Sequence, residues 1–446
     1  SKDYVLKNDV PIYEIVETPT KIELIPNVGW GYSIYTEPQL MGTAIIGATW
    51  WNSSWDYRKQ INITTPYGVT LYIGVNSSTT GEDFDLNNHV NSDFSDIRFT
   101  SDDEETIIPH TIESISSGLA IVHLNPTSKI NYIYYGNSDA TDSSNDTATF
   151  GNDIYAYWSG DTDTRDVLNS HNMTNNGSSQ TDGFFGKAYD YETTDTDYQY
   201  DSTTNPSSWS GITLSAWIKA ESITDFGSII TTSYNADGSA SITKDFCGFR
   251  FGTLGNTYFQ FLCYDTGTSS FSYASSTTQP IAGTWYHVVG TWDGTTTNYP
   301  KLYINNSLET NSAQAKSVSL SSISNTERWQ SGWSRYVEAG QYFYGIIDDA
   351  KVFNDELTAT EIEAEYNRSL VTFSSAGSEE EVPSADTCTY SGTGNWAIDC
   401  TDSCNLVATD LGGNDWTASG SGTITGVSNI TNYVNGLITG GCDGYA

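Results

Sequence analysis

The sequence predicts an all-β chain. Tandem β-sandwiches follow an extended N-terminal arm, and a small cysteine-bearing β module closes the sequence. Three observations predict it. Gly211-Ile212-Thr213-Leu214-Ser215-Ala216-Trp217-Ile218-Lys219 alternates apolar and polar residues, so Ile212, Leu214, Ala216 and Ile218 share one face of a strand. Helical signals are confined to residues 358–367, where Thr358 and Glu361 form a capping box and Ile362 and Tyr366 share a face. At 446 residues the chain is too long for one core, which makes it multi-domain.

Residues 1–50 read as an extended strand-forming arm. Ile12-Tyr13-Glu14-Ile15-Val16 and Lys21-Ile22-Glu23-Leu24-Ile25 alternate, and Pro11, Pro19 and Pro26 interrupt them. The run Gly42 to Trp50 carries no charge and needs a sheet to join. It either pads the chain's own domains or donates a strand to a neighbouring subunit.

Residues 51–152 read as a β-sandwich. Trp55-Asp56-Tyr57-Arg58-Lys59 opens a strand, and Ser95-Asp96-Ile97-Arg98-Phe99-Thr100, Ile107-Ile108-Pro109-His110 and Ile133-Tyr134-Tyr135-Gly136-Asn137 follow. In that order they resemble a domain-of-unknown-function family common in archaeal and bacterial secreted proteins. The resemblance implies a sandwich and names no activity. Asp96 and Arg98 lie on alternate positions and read as a structural charge pair.

Residues 153–371 form the second sandwich. Tyr157-Trp158 starts it, and Thr284-Trp285-Tyr286-His287-Val288-Val289-Gly290-Thr291-Trp292-Asp293-Gly294 supplies a central strand. Lys301-Leu302-Tyr303-Ile304-Asn305-Asn306 follows as its hairpin partner, and Asn305-Asn306 can make a turn because Asn tolerates the left-handed conformation. With Gly345-Ile346-Ile347-Asp348-Asp349-Ala350-Lys351-Val352-Phe353 and the short helix, this segment resembles the laminin-G-like (concanavalin A-type lectin/glucanase) jelly roll. His287 reads as a packed core residue.

Residues 372–387 read as a linker by composition. Residues 388–446 hold Cys388, Cys400, Cys404 and Cys442 among short strands, similar to small Cys-bearing β modules of archaeal surface proteins, which are sometimes the first rungs of a β-solenoid. No paired Cys-x-x-Cys zinc spacing occurs, so the six cysteines favour disulfides. Cys247 and Cys263 face each other across a candidate hairpin. The other four make two bridges whose pairing stays open.

Charge and motifs bound the function. Lys and Arg total 18 against 55 Asp and Glu, a net charge of −37, which excludes a basic nucleic-acid footprint. No apolar run is long enough to span a membrane. N-glycosylation acceptors occur at Asn52, Asn62, Asn76, Asn145, Asn172, Asn176, Asn305, Asn367 and Asn429. The paired carboxylates of a laminarinase-type strand, Glu-x-Asp-x-x-Glu, are missing, as are other catalytic motifs. The chain is therefore expected to be non-enzymatic.

The laminin-G resemblance implies a Ca²⁺ site at the sandwich rim. Asp348 and Asp349 occupy the family's terminal Asp position, and Glu192, Asp195 and Asp197 fall where the family has an Asp-rich turn. Asp161, Asp163 and Asp166 form a second acidic turn. Trp329, Trp333, Tyr336 and Tyr342 precede the last strand and form a candidate glycan platform. The expected role is an extracellular structural protein: a cell-surface or filament subunit, or an adhesin, polymerising with copies of itself through strand-mediated contacts. The alternative is a carbohydrate-binding module of a larger secreted protein or glycosidase.

Overall fold

The computed structural model describes residues 3–7, 10–18 and 21–26, then 50–382 apart from 152, 193–196, 202–208, 224–225, 236–245, 253–257, 311–312, 324–326 and 335–340. In the C-terminal part it describes residues 396–399, 409–419, 421–425, 430–431, 436–438 and 441–445. The chain divides into two compact units, residues 59–378 and residues 1–58 with 379–446.

The larger unit contains both sandwiches. In the first, a four-stranded sheet runs in the order Phe84–Asp85, Val69–Gly74, Leu119–Leu124, His110–Ser116. Its partner sheet includes Phe373–Ala376, Tyr57–Ile63, Ile130–Tyr135, Arg98–Ser101 and Ile107–Ile108. Alternation puts Val69, Leu71 and Ile73 against Ile61, Phe99 and Ile133, all buried. The stretch expected to be a linker contributes the strand Phe373–Ala376, and Phe373 stacks on Phe84 at 5.4 Å. Asp96 accepts the N–H groups of Asn91 and Gly136, and Arg98 donates to the carbonyls of Ser95, Ile97 and Thr141. Both charges thus fasten loops.

The second sandwich packs an eight-stranded sheet on a ten-stranded one. The first is centred on Tyr344–Phe353, Ile212–Ser222 and Trp285–Trp292. The second runs from Met173–Asn176 through Tyr198–Asp201, Glu327–Ser331 and Ser228–Asn235 to Phe246–Phe251, Phe259–Asp265 and beyond. Ile212, Leu214, Ala216 and Ile218 face inward, onto Phe249, Phe251, Phe259 and Phe261. Gly290 permits this fit, since a Cβ there would lie 2.3 Å from the Phe261 ring. Cys247 and Cys263 are directly opposed in the ladder and joined by a disulfide. The helix Ala359–Arg368 carries the expected Thr358–Glu361 box and buries Ile362 on Phe353 and Leu357. His287 is buried, with Nε2 at 2.9 Å from Ser215 Oγ, and burial followed by Lys351 pushes it down to about 4.

Two residues break the long strand Tyr344–Phe353. Its register against Ile212–Ser222 shifts between Asp348 and Lys351, and Asp349 takes a left-handed φ of 52°. This bulge re-aims the side chains on either side of it.

In the smaller unit, Asp3–Lys7, Val10–Thr18 and Lys21–Pro26 form an antiparallel meander. The arm's strands therefore pair with one another; residues 27–49 lie outside the described residues. Trp396–Asp399, Trp416–Ser419 and Gly436–Ile438 stack in parallel, each partner twenty residues further along the chain. Ser421–Thr425 and Gly441–Tyr445 repeat the same offset. Trp396, Ile398, Trp416 and Ala418 are buried in this stack, as in the rungs of a β-solenoid. Cys388, Cys400 and Cys404 lie outside the described residues, as does the side chain of Cys442. Among the described residues, no helix is long and apolar enough to cross a membrane.

Candidate carbohydrate-binding surface

The strand Tyr198–Asp201 alternates. Gln199 and Asp201 point inward, so Tyr198 and Tyr200 point outward and stay half-buried. Beside it, Trp333–Ser334 and Gln341–Tyr342 pair antiparallel, placing Trp333 opposite Tyr342. The rings form a continuous strip. Tyr200 lies 5.9 Å from Tyr198, Tyr198 5.2 Å from Trp333, Trp333 6.0 Å from Tyr342, and Tyr342 6.5 Å from Tyr344. Trp333, Tyr342 and Tyr344 stack with planes within 26° of one another in each successive pair. The Arg328 guanidinium sits 3.9 Å from the Tyr200 centroid and closes one end. Half-buried rings in a row offer apolar faces bordered by polar edges, the surface that the C–H face of a sugar ring fits.

Two of the four residues expected to build this platform do so, Trp333 and Tyr342. Trp329 does not. It is fully buried in the core, because its position on Glu327–Ser331 faces the opposite sheet. Tyr336 lies outside the described residues. Tyr198, Tyr200 and Tyr344 escaped the sequence reading; the alternating Tyr198-Gln199-Tyr200 was the available signal.

An acidic group adjoins the strip. Asp190, Glu192 and Glu221 bring one carboxylate oxygen each within 4.8 Å of the others, the only such trio found among the described residues. Strand order explains it. Asp190 and Lys219 flank Ile346 from either side, and Ser222 pairs with Tyr344 two residues along. Burial, then Asp197, pushes the Asp190 carboxyl up. Asp197 is buried, and its Oδ2 accepts the Glu192 N–H at 3.1 Å.

The expected calcium set does not assemble as one site. Glu192 and Asp197 meet at this rim, Asp195 lies outside the described residues, and Asp348 and Asp349 go elsewhere. Asp348 Oδ2 accepts the N–H groups of Phe184 and Phe185 at 2.7 and 3.0 Å. Asp349 pairs with Lys351 at 3.0 Å, and Lys351 also pairs with Glu365 at 2.8 Å. Asp348 lies two residues along its strand from Ile346, the partner of Asp190. The second acidic turn also disperses. Asp163 pairs with Arg165, and Asp166 accepts the N–H groups of Tyr157, Leu168, Ser170 and His171. Asp161 accepts the Lys187 N–H where the two sandwiches meet. There Glu113 joins His123 at 2.7 Å and accepts the hydroxyls of Ser159 and Thr162.

The glycosylation acceptors sit at the surface. Asn145, Asn172, Asn176 and Asn305 are exposed, Asn52, Asn62, Asn76 and Asn367 are half-buried, and Asn429 lies outside the described residues.

The geometry defines a two-sandwich β protein with a surface strip of aromatic rings. Residues 193–363 match the family described as the concanavalin A-like lectin/glucanases superfamily. Residues 93–164 match a domain of unknown function, DUF2341. No curated protein matches the chain. Among solved structures, domain 4 of AbnA, an extracellular GH43 arabinanase of Geobacillus stearothermophilus in complex with arabinotriose, is 17% identical. That likeness covers 48% of this chain and 98% of that one, with a TM-score of 0.38. The binding domain of botulinum neurotoxin serotype D with N-acetylneuraminic acid is 14% identical over 50% of this chain and 52% of its own, with a TM-score of 0.36. A heptameric SAP-like pentraxin of Limulus polyphemus is 18% identical over 37% and 73%, with a TM-score of 0.28.

Proposed function

We propose that this chain is an extracellular, non-catalytic carbohydrate-binding protein, and that its second sandwich holds a glycan along the strip from Tyr200 to Tyr344. The five-ring strip carries the reading. Its five rings are half-buried, ordered by strand pairing and 5.2 to 6.5 Å from one to the next. The match of residues 193–363 to a lectin/glucanase superfamily supports it, and the disulfide Cys247–Cys263 suits an oxidising compartment. We assign the expected Ca²⁺ to Asp190, Glu192 and Glu221, next to the strip, in place of Asp348 and Asp349. Hard cations take clustered carboxylate oxygens. The test is binding to a panel of immobilised polysaccharides. Trp333→Ala is expected to lower retention at least tenfold on whichever polysaccharide the unaltered protein binds, at unchanged melting temperature. Unchanged retention sinks the reading.

A second reading, assembly into a cell-surface filament, draws on the meander of residues 3–26. Asp3–Lys7 and Lys21–Pro26 are its edge strands, and an edge can extend by pairing with another copy. Electron microscopy of a variant lacking residues 1–50 tests it. Filaments that persist without those residues would rule it out.

A further inference from the structure

The strand Tyr57–Ile63 takes as its edge neighbour a stretch of chain that comes after the whole second sandwich. Phe373, Ser375 and Ala376 pair antiparallel with Ile63, Asn62 and Ile61, and Glu380 and Glu381 pair with Arg58 and Tyr57. Between and beyond them, the Gly377 N–H donates to the Gln60 carbonyl and the Val382 N–H to the Asp56 carbonyl. The ladder thus runs from residue 63 back to residue 56. The second sandwich, residues 153–371, is inserted between two neighbouring strands of the first.

This ladder decides where tension goes. The pair is antiparallel, so the chain enters at Asp56 and leaves at Val382 from the same end. A pull on the chain before Asp56 against the chain after Val382 crosses from one strand to the other at that end. While the ladder holds, residues 64–371 lie outside the path.

The two strands are unequally held. Tyr57–Ile63 has Ile130–Tyr135 on its other side, whereas the returning strand is an edge. Ser374, Ser375, Glu380 and Glu381 are exposed on it. At the loaded end the Arg58 guanidinium pairs with Glu380 at 2.7 Å, and the carboxylate is half exposed, so water and salt screen the pair. At the far end Phe373 stacks on Phe84 at 5.4 Å. A strand with few buried contacts opens before the core does. Peeling breaks the rungs one at a time from residue 382 and meets the Phe373–Phe84 stack last.

We propose that the returning strand is a mechanical clasp: under tension on its two flanks it opens first, and until it opens the second sandwich carries no load. Once it has opened, the chain pulls on residue 371 and the second sandwich comes into line. This holds whatever the second sandwich binds.

Single-molecule force spectroscopy of the full chain, gripped through azide-bearing residues introduced in place of Ser53 and Ser384, tests it. The first event is expected to lengthen the tether by about 5 nm, the ten freed residues plus the strand they leave, at roughly 3.3–3.6 Å per residue. Phe373→Ala is expected to lower the force of that event. Arg58→Cys with Glu380→Cys places two thiols on directly paired residues, and once oxidised it is expected to remove the event. A first event on the order of 70 nm, the length of the second sandwich unravelled, would overturn the proposal. So would a short event that persists in the oxidised variant, or one whose force Phe373→Ala leaves unchanged.

Discussion

Trp333 stands directly opposite Tyr342 across a two-residue antiparallel pairing, with ring centroids 6.0 Å apart and planes at 26°. Four residues earlier, Trp329 is fully buried. Two tryptophans of one short segment therefore do different work. Trp329→Ala should destabilise the protein by about 3–5 kcal/mol, the range for emptying a large core site. Trp333→Ala should cost far less stability. Chemical denaturation of the two variants checks this, and equal losses would contradict the assignment of faces.

The disulfide links strands whose cysteines are 16 residues apart. Replacing both with serine should lower stability by about 3 kcal/mol, the value for closing a loop of that length. Thermal melts of the double variant give the answer. An unchanged melting temperature would mean that the bridge adds nothing to the native state.

Gly290 admits the Phe261 ring where any Cβ would collide with it at 2.3 Å. Gly290→Ala should therefore destabilise by about 1–3 kcal/mol through overpacking. Gly283→Ala tests a different cause, because nothing lies within 4 Å of a Cβ there and only its positive φ of 76° resists the change. Trimming Phe261 to leucine should rescue the first variant and leave the second untouched.

Asp161 gives a pH signature. Burial, followed by the Glu113 charge, pushes its carboxyl up to about 6 from a usual 3.8. The folded state then holds a proton that the unfolded state has released between those values. This contribution to stability is complete below the lower value and is lost as pH rises through the upper one. The swing is about 3 kcal/mol. Asp161→Asn removes it, so the stability of the variant relative to the unaltered protein should rise between pH ~4 and ~6. A difference that stays flat with pH would show that Asp161 titrates normally. His110 and His287, both pushed down to about 4, act in the opposite sense in both proteins and cancel in the comparison.

Local pattern made much of the architecture legible. The inward set from Ile212 to Ile218 follows from strict alternation, the helix from a capping box, and the Cys247–Cys263 bridge from two cysteines on neighbouring strands. What stayed hidden depends on pairing at a distance. Whether Trp329 or Trp333 faces the core is decided by the strands beside Glu327–Ser331. Asp348 stays off the rim because it lies two residues along the strand from Ile346, the partner of Asp190, and is tied there to Phe184 and Phe185. The strand Phe373–Ala376 sits in Ser-, Ala- and Gly-rich sequence, and Phe373 alone marks it by packing on Phe84. Asp190 joins Glu192 and Glu221 only because Tyr344–Phe353 lies between their strands.

The proposed calcium bears on the rim alone. With Asp190, Glu192 and Glu221 as ligands, millimolar Ca²⁺ should raise the melting temperature and chelator should lower it, by mass action on the folded state. Glu221→Gln should abolish that difference, while Asp348→Asn should preserve it. Melting curves that ignore Ca²⁺ would remove the ion from the rim.

The central claim is that a glycan lies along the ring strip. The most direct measurement is saturation-transfer NMR of a polysaccharide fragment that the protein retains, comparing the unaltered chain with a Trp333→Ala/Tyr342→Ala double variant. The account predicts transfer from aromatic protons to the sugar C–H face in the first sample and its loss in the second, with both proteins folded. Equal transfer in the two samples would contradict it.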